Sequence, residues 1–317
     1  MKYYQNKKFR LFRDPQSFAS SQGYIATIGN YDGVHLGHQY ILQKIQQQQQ
    51  ILSLPSLIII FEPSPLEYFL STHAPARIST LHEKVCLLSK YKIENILCLK
   101  FNAKLATMPA SQFIQKILID ILNIKYLIVG YDFSFGHNRN GNFDLLKKYS
   151  DQGLITEKIE PVYLSSHKEQ FKINSTHVRQ ALANANFELA TKLLGRPYAM
   201  CGRVVHGNSL GKRLGFPSAN ICLKHKILPL KGVYAAKIQG QSFGIKEGIV
   251  NIGTRPTING KTNILESHIF DFDKNIYGEK LIIEFLHKIR QEQKFDSLEL
   301  LQQQVIEDIK QAKKFFN

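Results

Sequence analysis

The chain has 317 residues, of which 44% are hydrophobic and 21% charged, enough apolar material for two ordinary cores rather than one. No run approaches the roughly eighteen apolar residues of a membrane helix, so no membrane partner is expected. The net charge of +16 favours polyanionic partners, nucleotides and nucleic acids alike. Most of the basic residues are scattered lysines, which read as solvated surface rather than a nucleic-acid stripe. Cysteines 86, 98, 201 and 222 form no C-x-x-C pair and no zinc spacing, which points to a reducing, cytoplasmic setting. The basic start, Met1 to Arg10, lacks an apolar core and cleavage site and is expected to stay attached.

In chain order, short apolar β-rich runs alternate with amphipathic stretches over the first 185 or so residues. That is the βαβ pattern of a parallel sheet. Strands are predicted at Tyr24–Ile28, Leu57–Phe61, Asn95–Leu99 and Tyr126–Val129. Apolar residues three and four apart predict helices over Gly37–Gln50, Thr80–Tyr91 and Ala110–Leu122. The run Gln46–Gln50 is taken as the exposed end of the first helix. Beyond Gly195-Arg196-Pro197-Tyr198 the strand-like runs come closer together: Arg203–Val205, Val233–Ile238, Gly248–Ile252, Ile264–Phe270 and Lys280–Leu286. They predict a small antiparallel barrel. Ser297–Phe315 opens on a capping serine and predicts a last helix packed on that barrel. The boundary is placed near residues 186–198, giving an α/β domain over 1–190 and a β domain over 191–317.

The first chemical constellation is Gly29-Asn30-Tyr31-Asp32-Gly33-Val34-His35-Leu36-Gly37-His38. Its glycines, Gly29, Gly33 and Gly37, allow a tight turn and close approach to a ligand. The helix that follows offers unpaired N–H groups and a partial positive charge, while His35 and His38 project into the same space. A triphosphate suits this arrangement. H-x-x-H is also a fragment of a metal site, and Asp32-Gly33 is also an ordinary turn pair.

A second constellation runs from Gly202 to Asn220 and combines Gly207 and Gly211 with Lys212, Arg213, Ser218 and Asn220. Flexible glycines, cations, a hydroxyl and an amide suit a nucleotide with Mg²⁺, although a plain barrel turn has the same residue types. It is not a Walker A loop, because neither Ser nor Thr follows the lysine at the required spacing.

The first string resembles the H-x-G-H nucleotidyltransferases. In its fuller form it resembles the adenylyltransferase half of bacterial bifunctional riboflavin kinase/FAD synthetases. Phe61-Glu62-Pro63-Ser64-Pro65, Arg77 through Lys84, and Val129 through Gly141 match further stretches of that family in order. Ile173-Asn174-Ser175-Thr176-His177-Val178-Arg179 resembles its I-S-S-T-x-I-R, with Asn174 for serine and Val178 for isoleucine. Gly202–Asn220 resembles the riboflavin kinase loop, with Lys212 where arginine is common and Ser218 where threonine is. Gly232-Val233-Tyr234, Asn251 through Thr257, Leu265-Glu266-Ser267-His268, Tyr277-Gly278, Arg290, Glu292 and Phe295 extend the likeness.

The resemblance implies a Rossmann-like nucleotidyltransferase domain followed by a riboflavin kinase barrel. It also implies two reactions: riboflavin and ATP to FMN, then FMN and ATP to FAD. For the adenylyltransferase it implies that His35, His38 and Arg179 stabilise the transition state. Gly29, Asn30, Gly33, Gly37, Ser175 and Thr176 would bind ATP, and Phe61, Asp132, Phe133, Phe135 and Arg139 would hold flavin. The FMN phosphate has a second pKa near ~6 and needs no base. For the kinase it implies that Glu266 is the base for the riboflavin alcohol, with Ser218 and Asn220 on Mg²⁺. Gly207, Gly211, Lys212 and Arg213 would bind ATP there, with Arg290 on the flavin side. Two alternatives are a chain that keeps one activity and, further off, a basic nucleic-acid-binding protein. No reading module or stacking face supports the latter.

Overall fold

The computed structural model describes residues 10–18, 22–165, 170–207, 211, 215–224, 227–257 and 260–317. By its internal contacts the chain divides into two units, one made of 1–75 and 81–175, the other of 76–80 and 176–317.

The first unit is built on a six-stranded, wholly parallel sheet. Its strands are β1 (Arg10–Phe12), β2 (Tyr24–Ile28), β3 (Ser56–Glu62), β4 (Asn95–Lys100), β5 (Ile124–Gly130) and β6 (Ile155–Ile159), in the order β1-β4-β3-β2-β5-β6. Parallel strands covered on both faces are nearly continuous apolar runs, and Leu57 to Ile60 are fully buried. One face carries helix Leu36–Leu52 through Ile41, Leu42 and Ile45, together with helix Leu81–Leu88 through Val85 and Leu88. The other carries Phe113, Ile114, Leu118 and Leu122.

The helix expected over Ala110–Leu122 begins as a short α-turn at Ala110–Gln112 and continues as a π-helix over Phe113–Ile121. Leu122 N–H accordingly reaches back five residues to Ile117 O at 3.0 Å. The glutamine run stays helical to Leu52, so its polar side chains extend an existing helix. From β2 the chain moves to one side through β3 and β4, whereas β5 lies on the other. The C-terminal ends of β2 and β5 are therefore the switch point, where open α/β sheets bind ligands. A small hairpin, β7 (Tyr163–Ser165) with β8 (Gln170–Lys172), completes the unit.

The second unit holds a closed, antiparallel six-stranded barrel. Its strands are β9 (Ala199–Val205), β10 (Ala219–Cys222), β11 (Gly232–Gly240), β12 (Gly244–Thr257), β13 (Gly260–Ile269) and β14 (Lys280–Arg290), in the order β10-β13-β12-β11-β14-β9. The expected fold class, a parallel α/β domain with a small β-barrel and a terminal helix, is what the structure shows.

Helix Leu298–Phe316 starts at Ser297, whose Oγ accepts the Leu300 N–H at 3.2 Å. It buries Ala312 against Ala235, Ile249 and Phe270. It also carries the nearly inaccessible carboxylate of Asp308, which binds Arg290 through Nε at 2.8 Å and Nη2 at 2.9 Å. Gln304 donates to the same carboxylate at 2.9 Å. The guanidinium fork and one further donor make this burial of charge tolerable.

Segment 76–80 belongs with this unit: Arg179 Nε donates to Ala76 O at 2.7 Å and Tyr198 OH to Ile78 O at 3.2 Å.

Candidate active sites

The first site lies where β2 ends. Tyr31 and Val34 have positive φ values of 48° and 44°, a costly conformation for a β-branched residue in particular, and Gly33 between them has φ 77°. Tertiary contacts hold the turn. Tyr31 is buried, its phenol oxygen lies 2.7 Å from Thr27 Oγ1, and burial pushes its pKa well up, so it stays a neutral phenol. Gln39 donates to Val34 O at 2.9 Å, and Ser175 Oγ donates to Asp32 O at 3.1 Å. A Cβ on Gly29 would press the Tyr31 ring at 3.1 Å, and one on Gly37 would meet the His35 ring and Ile173 O at 3.2 Å. A side chain at either position would therefore have to displace the ring beside it by a few tenths of an ångström.

His35 caps helix Leu36–Leu52, its Nδ1 accepting the His38 N–H at 3.3 Å. That bond makes Nδ1 an acceptor and leaves Nε2 as the N–H of the neutral ring. The His35 and His38 rings stack at 3.7 Å between centroids, and Tyr31 closes on His38 at 4.7 Å. Part of His38 reaches the surface, but its Nδ1 is buried with no hydrogen-bond partner among the described residues. Burial, then the neighbouring His35 and Lys84, hold the His38 pKa well below its ordinary value. The pair therefore offers neutral N–H donors beside a helix N-terminus, a setting suited to an anion. Lys84 and Tyr31 are contributors that sequence reasoning left without a role. Lys84 was legible only as the last residue of the family-like stretch from Arg77, and its burial, at 4% exposed, was not.

The expected flavin residues follow β5 or end β3. Phe133 and Phe135 stack at 5.2 Å and both pack against the core of the sheet's second face. Phe135 pairs with Gly141 through two backbone bonds, and Gly136 and Gly141 admit Ala110 so closely that a Cβ on either would lie 2.7 Å from it. Arg139 has φ 57° and donates to Ser134 Oγ at 2.8 Å, while Asp132 is exposed. Phe61 meets Phe101 edge to face at 5.9 Å. Thr176 and Arg179 lie on helix Ser175–Ala183.

The barrel site is a rank of side chains. Glu266 is directly opposite Asn220 on one neighbouring strand and Asn251 on the other. Residues opposite one another share a face, so two amides flank the carboxylate. The adjacent rank, Val204, Ile221, Leu265 and Ile252, is buried and fills the barrel, so the polar rank points away from it.

Gly207 lies over Asn220 so tightly that a Cβ would collide with its amide, and a Cβ on Gly211 would lie 2.8 Å from Ser218 Oγ. His268 donates Nδ1–H to Pro217 O at 2.9 Å, which pins the segment leading to Ser218 and Asn220. Lys212 and Arg213 lie outside the described residues. Arg290 spends Nε and Nη2 on Asp308 and Nη1 on Gln291 O, and its guanidinium lies 5.6 Å from the Phe295 ring centre. It thereby anchors the segment after β14. Beside Ser218 opens a cavity of about 410 Å³, bounded by Val204, Ala219, Ser267, Ile269, Phe272 and Tyr277 among others. Among the described residues no group of three or more His, Cys, Asp or Glu could hold a metal ion.

A switch-point loop with paired histidines and a separate barrel with a glycine-covered hydroxyl and amide define a two-site nucleotide-dependent transferase. Comparison with known proteins gives the particular family. Residues 17–177 match the FAD synthetase family model and residues 194–316 the riboflavin kinase model. A bifunctional riboflavin kinase/FMN adenylyltransferase of Haemophilus influenzae is 46% identical over 93% of this chain and 95% of its own. That of Escherichia coli K12 is 41% identical over 95% of each. The chain belongs to the bifunctional riboflavin kinase/FMN adenylyltransferase family. A solved Streptococcus pneumoniae protein titled a macrolide-efflux protein is also similar, at 30% identity and TM-score 0.77, covering 95% of this chain and 97% of its own. Among the described residues no helix is long and apolar enough to cross a membrane.

Proposed function

We propose that this chain converts riboflavin and ATP to FMN and ADP at the barrel, and FMN and ATP to FAD and diphosphate at the sheet. The adenylyltransferase is assigned to residues 1–190 and the kinase to 191–317. The observation that carries the reading is the difference between the two sites. One presents neutral histidine donors at a helix N-terminus, and the other presents a carboxylate flanked by two amides.

That difference follows the acceptors. The FMN phosphate arrives as an anion, so the sheet site has to orient it and to donate hydrogen bonds where charge accumulates on the polyphosphate. His35 and His38 serve there, with backbone N–H groups of the Gly29–Gly37 turn holding ATP together with Asn30. The resemblance adds Ser175 and Thr176 as phosphate contacts and Arg179 as the cation for the departing diphosphate. Phe61, Asp132, Phe133, Phe135 and Arg139 take the flavin.

The riboflavin alcohol is a poor nucleophile until it loses its proton, and Glu266 accepts that proton. Ser218 and Asn220 offer neutral oxygens under a glycine cradle, which fits Mg²⁺ held mainly by nucleotide phosphates. When bound, the metal offsets charge on the transferring phosphoryl group. Gly207, Gly211, Lys212 and Arg213 complete the ATP loop, the neighbouring cavity takes the base, and Arg290 positions the flavin-side segment. The substrates are thus riboflavin, FMN and ATP, and the reaction belongs to the cytoplasm, without nucleic-acid or membrane partners.

Chromatography of products from riboflavin, ATP and Mg²⁺ tests the reading. FMN is expected first and FAD after it. Riboflavin left unchanged by folded protein overturns the kinase, and FMN that accumulates without FAD overturns the adenylyltransferase.

A further inference from the structure

The barrel cavity contains a buried polar group that the mechanism above does not use. Ser267 follows Glu266 on β13, and strand alternation turns the two side chains to opposite faces. Glu266 points away from the barrel, whereas Ser267, opposite Ala219 and Val250, is 1% exposed. Its Oγ has no hydrogen-bond partner among the described residues. A buried hydroxyl without a partner costs free energy that alanine at the same position would not. Ser267 nevertheless lines the cavity of about 410 Å³, within the range of small-molecule sites, together with Val204, Ala219, Ile269, Phe272 and Ile276. The same cavity is bounded by Ser218, the residue placed beside the ATP phosphates.

We propose that the Ser267 hydroxyl hydrogen-bonds the purine ring of the ATP bound by the barrel and is a specificity-determining residue of the kinase reaction. The inference rests on the reading of the Gly207–Asn220 loop as the ATP loop. Asp273, Lys274 and Asn275 are exposed members of the lining, while the buried part is apolar except for Ser267, and the continuity of the cavity with Ser218 makes adenine the ligand part that matches it. Its flat face suits Ile269, Phe272 and Ile276, and its ring nitrogens are acceptors for one hydroxyl donor.

The test is steady-state kinetics of FMN formation by the full chain, comparing wild type with Ser267→Ala and Ser267→Thr. Ser267→Ala is expected to raise KM for ATP about tenfold, the size of one ordinary hydrogen bond. KM for riboflavin, FAD formation from supplied FMN, and Tm should stay unchanged, or Tm should rise. Ser267→Thr, which keeps the hydroxyl, should retain most of the ATP affinity. Deaza analogues of ATP, each lacking one ring nitrogen, supply a measurement that does not depend on how the variants fold. One analogue should lose about tenfold with wild type and lose nothing further with Ser267→Ala. An unchanged KM for ATP in Ser267→Ala overturns the proposal. So does a rise confined to riboflavin, or a fall in Tm with equal loss of both substrates. Wild-type protein that makes no FMN would instead overturn the kinase reading itself.

Discussion

The parallel sheet and the antiparallel barrel build their sites in different ways. The sheet places its chemistry beyond the ends of its strands, on a turn that is costly by itself and is held by a buried phenol, a serine bond and two stacked imidazoles. The barrel places Glu266 within a strand, where register alone sets Asn220 and Asn251 beside it. The first design depends on packing around a loop. The second depends on ladder bonds that would exist without any active site.

The largest expected effect tests the barrel side. Glu266→Gln should lower FMN formation by ~10²–10⁴, the usual worth of a general base, with FAD formation from FMN unchanged. Equal loss in both assays would break the comparison. His38→Ala should lower FAD formation by ~10²–10³ while FMN formation holds, since it removes a donor from the developing charge. Next comes the Arg290–Asp308 pair. Arg290→Ala leaves the buried Asp308 carboxylate without its guanidinium and should destabilise the barrel unit by about 3–5 kcal/mol in denaturant unfolding. A loss below 1 kcal/mol would show the pair to be solvated.

The smallest effect is one of pH. The folded pKa of His38 lies below its ordinary 6.5, so the unfolded chain binds more protons in that window. Stability contributed by neutral His38 is therefore complete above 6.5 and lost as pH falls toward the folded value. His38→Asn should flatten the acid limb of a Tm-against-pH curve. An unchanged slope would mean that the ring is not desolvated.

These two designs were not equally legible. The four inner strands of the sheet announce themselves as apolar runs because both faces are covered. The edge strands do not: β6 is Ile-Thr-Glu-Lys-Ile, and β1 lies in a basic stretch. β10 reads as part of a glycine loop because it is four residues long and two of its side chains are polar or small for a purpose. The histidine loop was visible through its glycines and its helix start. Its support was not, since nothing in the local string says that Tyr31 folds back onto Thr27 or that Lys84 is buried nearby. For Arg290 the sequence suggested a place by the flavin, whereas its partner Asp308 is eighteen residues away on a helix whose apolar face says nothing of a buried carboxylate.

The short stretch 76–80 lies between residues of the sheet unit in the chain and yet is counted with the barrel, tied there by Arg179 and Tyr198. A fragment that begins at Thr176 would lack these five residues of its contact unit. Such a fragment would leave the Tyr198 hydroxyl without the Ile78 carbonyl and Arg179 Nε without the Ala76 carbonyl. Supplying the missing piece as a peptide in trans, or grafting it onto the fragment's N-terminus, is then the route to a free-standing module.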